Sequence, residues 1–193
     1  KSVVTPGEKV PVTPDKVAAL ADSDLEGFRS AVMRAGYLAL DRPDIQYAAK
    51  ECARGMASPT VRHGEMLKRL VRYLSGAPNL TWTFPRQTWP GQIKVWSDTD
   101  WAGCPITRRS TSGTAITFGT HTWVTLASTQ VPISTSSAEA EYYGLVKAGS
   151  RAIGIINLAR DFGFESIGEL SLGLLSDSSS AIGVSVRRGV GKI

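Results

Sequence analysis

Cysteine is nearly absent. Cys52 and Cys104 are the only two in 193 residues, and they have no metal-ligand spacing. Free thiols of this kind point to a reducing compartment. No His/Cys cluster, no G-x-x-x-x-G-K-S/T loop and no G-x-S-x-G elbow occurs, so the usual signals for zinc-ligand, P-loop and serine-elbow chemistry are missing. No apolar run is long enough to span a bilayer, and the opening K-S-V-V-T-P-G-E does not read as a signal peptide. Acidic charge is in short supply, with 17 Asp and Glu against 22 Lys and Arg, net +5. That excess mildly favours a polyanionic partner. Most of it lies in residues 25–80, which hold nine basic and five acidic residues.

What is present divides the chain. Residues 1–22 carry three prolines and scattered threonines and read as an extended linker or arm. Ser23 and Glu26 predict a capping box, followed by Leu25, Phe28, Val32 and Ala35 at helical spacing. A second helix is predicted from Pro43, with Ile45, Ala48, Ala49, Cys52 and Met56 on its apolar face. Cys52 there reads as a core residue. A third helix is predicted over 59–74, with Leu67, Leu70, Val71 and Leu74 on one face. Arg62, Lys68, Arg69 and Arg72 fall on the other, either a solvated face or one that touches phosphates. His63 lies near the apolar side and reads as a packing residue. Residues 81–91 read as a connector rich in tryptophan and proline.

Beyond the connector, two segments end alike. Residues 93–98 read I-K-V-W-S-D and residues 172–177 read L-G-L-L-S-D. Strands are predicted at 93–98, 114–118, 122–126 and 172–176, with polar turn material at 110–113. A long helix is predicted from the capping box of Ser136 and Glu139 to about Phe162. A short helix is predicted to follow Asp177. A crossover helix between two strands predicts that they lie parallel in one sheet. If the strands are neighbours, Asp98 and Asp177 sit side by side.

Glu141, Leu145, Ala148 and Ala152 share one stripe of the long helix, the apolar and sheet-facing side. A carboxylate is rarely placed there without a partner or a task. Glu139 has a capping explanation, and Asp100 has a turn explanation. Asp177, taken alone, is also a good helix N-cap. Three converging carboxylates repel one another unless a divalent cation lies among them, and on a β-α-β frame they suggest two-metal phosphoryl transfer.

The segments W-S-D-T-D-W-A-G-C-P-I-T-R-R-S-T-S-G, S-T-S-S-A-E-A-E-Y-Y-G-L and L-L-S-D-S-S-S-A-I resemble the ribonuclease H domain of copia-type retrotransposon Pol polyproteins. Upstream, R-P-D-I-Q-Y-A-A-K and P-T-V-R-H-G-E-M-L-K-R-L-V-R-Y-L-S-G resemble the end of the reverse transcriptase of the same polyproteins. The resemblance covers roughly residues 24–185. It implies an α/β fold, an RNase H-like mixed sheet with a crossover helix, preceded by a small all-helical region. It implies a linker at 1–22, a reverse-transcriptase C-terminal region at 23–80, a connector at 81–91 and an RNase H-like domain at 92–193, incomplete at its C-terminus.

It implies hydrolysis of the RNA strand of RNA–DNA hybrids, with Asp98, Glu141 and Asp177 holding two Mg²⁺ or Mn²⁺ ions. Arg62, Lys68, Arg69, Arg72, Arg108 and Arg109 are candidates for contact with the nucleic acid. Expected partners are the hybrid and the rest of the polyprotein, including reverse transcriptase and integrase. No membrane is expected. The expected place is intracellular, cytoplasmic or nuclear, or within virus-like particles. The polymerase Y-x-D-D motif is absent, and the family's fourth acidic residue and fifth strand are expected beyond Ile193. A non-catalytic nucleic-acid-binding remnant is the alternative reading.

Overall fold

The structure, a computed structural model, describes residues 1–8 and 10–187. The C-terminal end of the domain expected at 92–193 therefore lies partly outside the described residues. The described residues are mixed α/β, with six α-helices and a four-stranded mixed sheet, and the chain divides into two compact units, Lys1–Trp82 and Thr83–Ile193.

The first unit is helical: α1 (Pro14–Val17), α2 (Asp22–Leu38), α3 (Pro43–Ala53) and α4 (Val61–Gly76). Its core joins Phe28, Val32 and Ala35 of α2 to Ile45, Ala48, Ala49 and Cys52 of α3 and Leu70 of α4. Burial pushes the Cys52 thiol up to about 12, so it is an inert core residue.

Three local expectations need correction. The capping box predicted at Ser23 is absent: α2 starts at Asp22, and its N-cap, Ala21, makes no side-chain cap bond. The entry is set instead by chain pairing, with Leu20 N donating to Pro59 O (3.0 Å) and Val61 N donating to Ala18 O (3.0 Å). The arm is likewise less irregular than predicted, since it contains α1 and the Ala19–Thr60 bridge. His63 does more than pack. It closes the capping box of α4, accepting from Thr60 N at 3.2 Å, while its ring covers Gly55. The buried Arg42 closes the other end of α4. Its guanidinium donates to Ala77 O (3.0 Å) and Pro78 O (3.1 Å) and pairs with Asp44 (2.7 Å).

In the second unit β1 (Gln92–Asp100), β2 (Thr111–Phe118), β3 (His121–Thr129) and β4 (Ser171–Leu175) form a sheet of order β3-β2-β1-β4. The β1–β2 and β2–β3 pairs are antiparallel; β1–β4 is parallel. Helix α5 (Ser137–Asp161) is the crossover, and α6 (Ser179–Ser185) follows β4. Ile93, Val95, Ile116 and Phe118 pack against Ala148, Ala152, Ile156 and Ala159 of α5. Small residues on the helix let it lie close to the sheet.

The first three strands run longer than predicted. Residues 111–113, expected as turn, belong to β2, and Asp100, expected in a turn, ends β1. The polarity of Ser110 and Ser112 is hidden because their hydroxyls are paired inside: Ser110 Oγ accepts from Ala102 N (3.0 Å) and Ser112 Oγ from Gln130 Nε2 (2.9 Å).

Candidate metal centre

The register of the sheet brings the two Ser-Asp endings level. The last β1–β4 pair is Trp96 with Leu175. Asp98 and Asp177 each lie two residues beyond it. After Leu175 the chain leaves the sheet and enters α6, whose N-cap is Ser178: its Oγ accepts from Ala181 N at 3.2 Å. Asp177 is therefore not the cap, and its carboxylate is not spent on helix initiation.

Helix α5 supplies the third group. Ser136 Oγ accepts from Glu139 N (3.2 Å), and the Glu139 carboxylate accepts from Thr135 N (2.6 Å) and Thr135 Oγ1 (2.7 Å). Glu139 is thus committed to the helix start. Glu141 points into the interface with the sheet and is buried. Its Oε1 accepts from Thr99 N at 3.0 Å, a backbone donor beyond the last β1–β4 pair. Its Oε2 is buried with no partner among the described residues. One carboxylate oxygen each from Asp98, Glu141 and Asp177 lie within 4.8 Å of one another. Burial and the charges of Asp98 and Asp177 hold the Glu141 carboxyl above the usual carboxylate range, against the Thr99 amide, which lowers it.

A buried carboxylate oxygen without a donor, facing two further carboxylates, fits a hard divalent cation such as Mg²⁺ or Mn²⁺. Asp100 and Glu139 stay out of the group. The Asp100 carboxylate lies over Gly103 in the turn after β1.

Two supports were not visible in the sequence. A Cβ at Gly144 would stand 2.5 Å from Thr99 Oγ1 and 3.0 Å from Ser97 Oγ, so the bare backbone there admits α5 close to β1. Gln130 ties the same region together, donating to Ser112 Oγ of β2 and to Ala140 O of α5 (2.8 Å), the residue before Glu141. A lone glutamine after a strand gives no pattern that would have marked it.

The predicted basic residues fall into two groups. Arg62, Arg69 and Arg72 are not an open face. Arg62 is buried and donates to Val10 O (3.2 Å). Arg69 donates to Thr5 O (3.2 Å) and Thr5 Oγ1 (2.8 Å) and pairs with Glu8 (2.5 Å). Arg72 donates to Lys1 O (2.7 Å). The N-terminal arm lies along them, its carbonyls supplying acceptors to the buried Arg62, the half-buried Arg69 and the exposed Arg72. Lys68 is exposed. Arg108 and Arg109 are exposed on the turn between β1 and β2, which is closed by Arg108 N to Cys104 O (2.9 Å) and Cys104 N to Arg109 O (3.2 Å). Arg108 holds a left-handed φ of 56°. This turn leaves β1 at the end where Asp98 lies.

No family model matches the chain, and no solved structure matches it. Curated proteins do. The chain is 37% identical over 122 residues to an uncharacterised mitochondrial protein of Arabidopsis thaliana, matching 63% of this chain and 50% of that protein. It is 34% identical over 141 residues to the retrovirus-related Pol polyprotein from transposon RE1 of the same plant, 73% of this chain and 10% of the polyprotein. It is also 34% identical over 131 residues to a protein of Plasmopara viticola named secreted RxLR effector protein 161, 65% of this chain and 89% of that protein. The chain thus spans half of the first relative and a tenth of the second. Over 72–75% of its length the chain is thus homologous, at 30–34% identity, to retrovirus-related Pol polyproteins of copia-type retrotransposons.

Proposed function

We propose that the second unit is an RNase H-like domain whose task is metal-dependent hydrolysis of the RNA strand in an RNA–DNA hybrid, within a Pol polyprotein. The observation that carries this reading is the convergence of Asp98, Glu141 and Asp177, with Glu141 Oε2 buried and unpartnered. The parallel β1–β4 pair spanned by α5 supports it, because this frame sets carboxylates from two strands and one helix at a single point.

Asp98, Glu141 and Asp177 would hold two Mg²⁺ or Mn²⁺ ions. Such ions supply an activated water and offset charge on the phosphate. The protein's own part is positional. The Thr99 amide fixes one oxygen of Glu141 and thereby aims the other. Ser178 takes over the cap of α6 and leaves Asp177 free. Arg108 and Arg109, exposed on the neighbouring turn, are placed to meet phosphates of the hybrid, and Lys68 is an exposed cation of the first unit. Arg69 is committed to the N-terminal arm, whereas the exposed Arg72 gives the arm one hydrogen bond, from Nε to Lys1 O.

The test is cleavage of a labelled RNA–DNA hybrid in Mg²⁺ and in Mn²⁺. The wild-type chain should cut the RNA strand, and Asp98→Asn and Asp177→Asn should not, while both variants keep hybrid binding. Cleavage unaffected by Asp98→Asn would defeat the assignment. Among the described residues the acidic group holds three carboxylates and no fourth. This favours, as a second reading, a module that binds hybrid without cutting it. Hybrid binding with no turnover in either metal would support that reading.

A further inference from the structure

The loop between β3 and α5 holds a buried polar side chain that belongs neither to the apolar core nor to the carboxylate group. Gln130 is 6% exposed, and both ends of its amide are engaged. Nε2 donates to Ala140 O (2.8 Å) and to Ser112 Oγ (2.9 Å), and Oε1 accepts from Ser134 Oγ (3.2 Å). A carbonyl can only accept, so Ala140 O decides which end of the amide faces the helix. The backbone N of Gln130 donates to Ser110 O (2.8 Å). One residue thus joins the entry to β2, the loop before α5 and the first turn of α5.

The start of α5 is held differently from the rest of the helix. The apolar cluster against the sheet takes Ala148, Ala152, Ile156 and Ala159 from α5. Nearer the start, the bare backbone of Gly144 faces hydroxyls instead, those of Thr99, Ser97 and Ser112. Thr99 Oγ1 and Ser97 Oγ have no partner among the described residues. A surface of this kind gives the helix little apolar adhesion. Glu141 meanwhile faces Asp98 and Asp177, and without a cation these like charges push the helix start away from the sheet. Two hydrogen bonds between described residues oppose that push: Thr99 N to Glu141 Oε1, and Gln130 Nε2 to Ala140 O. The first holds the carboxylate. The second holds the backbone that carries it.

We propose that Gln130 is a positioning residue of the carboxylate centre: by tying Ala140 O to Ser112 of β2, it keeps Glu141 close enough to Asp98 and Asp177 for the three to share a divalent cation. The proposal rests on the metal-binding part of the function proposed above and not on turnover, so the two can fail separately.

The experiment measures Mn²⁺ affinity of the full chain by titration calorimetry, at a temperature where each variant is folded, beside thermal unfolding in EDTA. Gln130→Met keeps the length of the side chain and removes its hydrogen bonds. Ser134→Ala removes one bond and keeps the tie to Ala140 O. Ile156→Val thins the core about four turns further along α5. Gln130→Met should weaken Mn²⁺ binding about tenfold, the low end of the loss expected when the partner of a metal ligand is removed. Ser134→Ala should weaken it less. Ile156→Val should lower the unfolding temperature and leave Mn²⁺ affinity unchanged, because loosening the helix far from Glu141 is not mispositioning. Wild-type affinity in Gln130→Met, or equal losses in Gln130→Met and Ile156→Val, would overturn the proposal and leave Gln130 a residue of the fold alone. If Gln130→Met does not fold, Ser134→Ala decides: lowered affinity upholds the proposal and unchanged affinity overturns it. A wild type that binds Mn²⁺ but cuts no hybrid, with weaker binding in Gln130→Met, would uphold the positioning role and defeat the hydrolase reading. A wild type that takes up no Mn²⁺ would overturn both.

Discussion

The arginines of α4 and the carboxylates around β1 are both groups of like charge, and the protein treats them oppositely. Arg62, Arg69 and Arg72 each hold an acceptor from the N-terminal arm, and Arg69 adds an ion pair with Glu8. Each is thus tied to another part of the chain. Asp98, Glu141 and Asp177 face one another, the two Asp exposed and Glu141 buried, with one backbone amide among them from the described residues, on Glu141 Oε1. Charge that is satisfied internally serves the fold. Charge that the fold has crowded together and left without donors calls for something from outside. The difference in partners, more than the count of charges, separates structural clusters from candidate sites.

The comparison can be broken at several points, the largest first. A cation that binds the carboxylate group should stabilise the second unit by mass action, by ~2.7 kcal/mol at a hundredfold excess over its dissociation constant. Thermal unfolding with and without Mg²⁺ should show this for wild type and for Glu139→Gln, whose carboxylate serves the helix start and lies outside the carboxylate group. Asp98→Asn should lose most of the shift. Equal shifts in Asp98→Asn and Glu139→Gln would erase the distinction between the two acidic positions.

Next in size is the arginine side. Arg62→Ala removes a buried guanidinium and strips Val10 O of its donor, which should cost about 2 kcal/mol in denaturant unfolding of the first unit. A neutral result would mean that the stripe is not structural and would return it to the candidates for phosphate contact.

A smaller effect concerns the metal-free carboxylates. The folded carboxyl of Glu141 titrates above its ordinary value, because burial and its acidic neighbours oppose ionisation. The stability linked to its protonated form is complete below the ordinary glutamate range and is lost as pH rises through the raised value. Without metal, Glu141→Gln should therefore unfold at a higher temperature than wild type at neutral pH, and the gain should vanish in acid. A variant less stable at neutral pH would show that Glu141 is not under repulsion. The smallest effect is expected for Glu8→Ala. It breaks a pair whose acid side chain is largely exposed, and should cost under about 0.5 kcal/mol, less at high salt.

The carboxylate group was legible because its signals are periodic. The phase of Glu141 with Leu145, Ala148 and Ala152 marks the buried stripe of α5, and the twin Ser-Asp endings mark matching strand ends. The adjacency of β1 and β4 follows from crossover topology. What stayed hidden depends on partners far apart in sequence. Ser110 and Ser112 look like turn residues until Ala102 and Gln130 are seen to satisfy them. Ser23 looks like a cap until the Ala19–Thr60 bridge sets the helix start. The α4 arginines look solvated because nothing in a helical pattern reveals that a segment about 60 residues earlier lies along it. Gly144 and Gln130, which fix α5 against the sheet, act through close approach and a single hydrogen-bond bridge, and neither leaves a period.

The most direct test of the central claim is calorimetric titration of the chain with Mn²⁺ near neutral pH, in two buffers of different ionisation enthalpy, for wild type, Asp98→Asn and Glu141→Gln. The carboxylate-centre account predicts uptake of about two ions by wild type, with release of whatever proton the raised Glu141 carboxyl still holds, and loss of that uptake in both variants. Mn²⁺ uptake that is unchanged in Asp98→Asn and Glu141→Gln would contradict it.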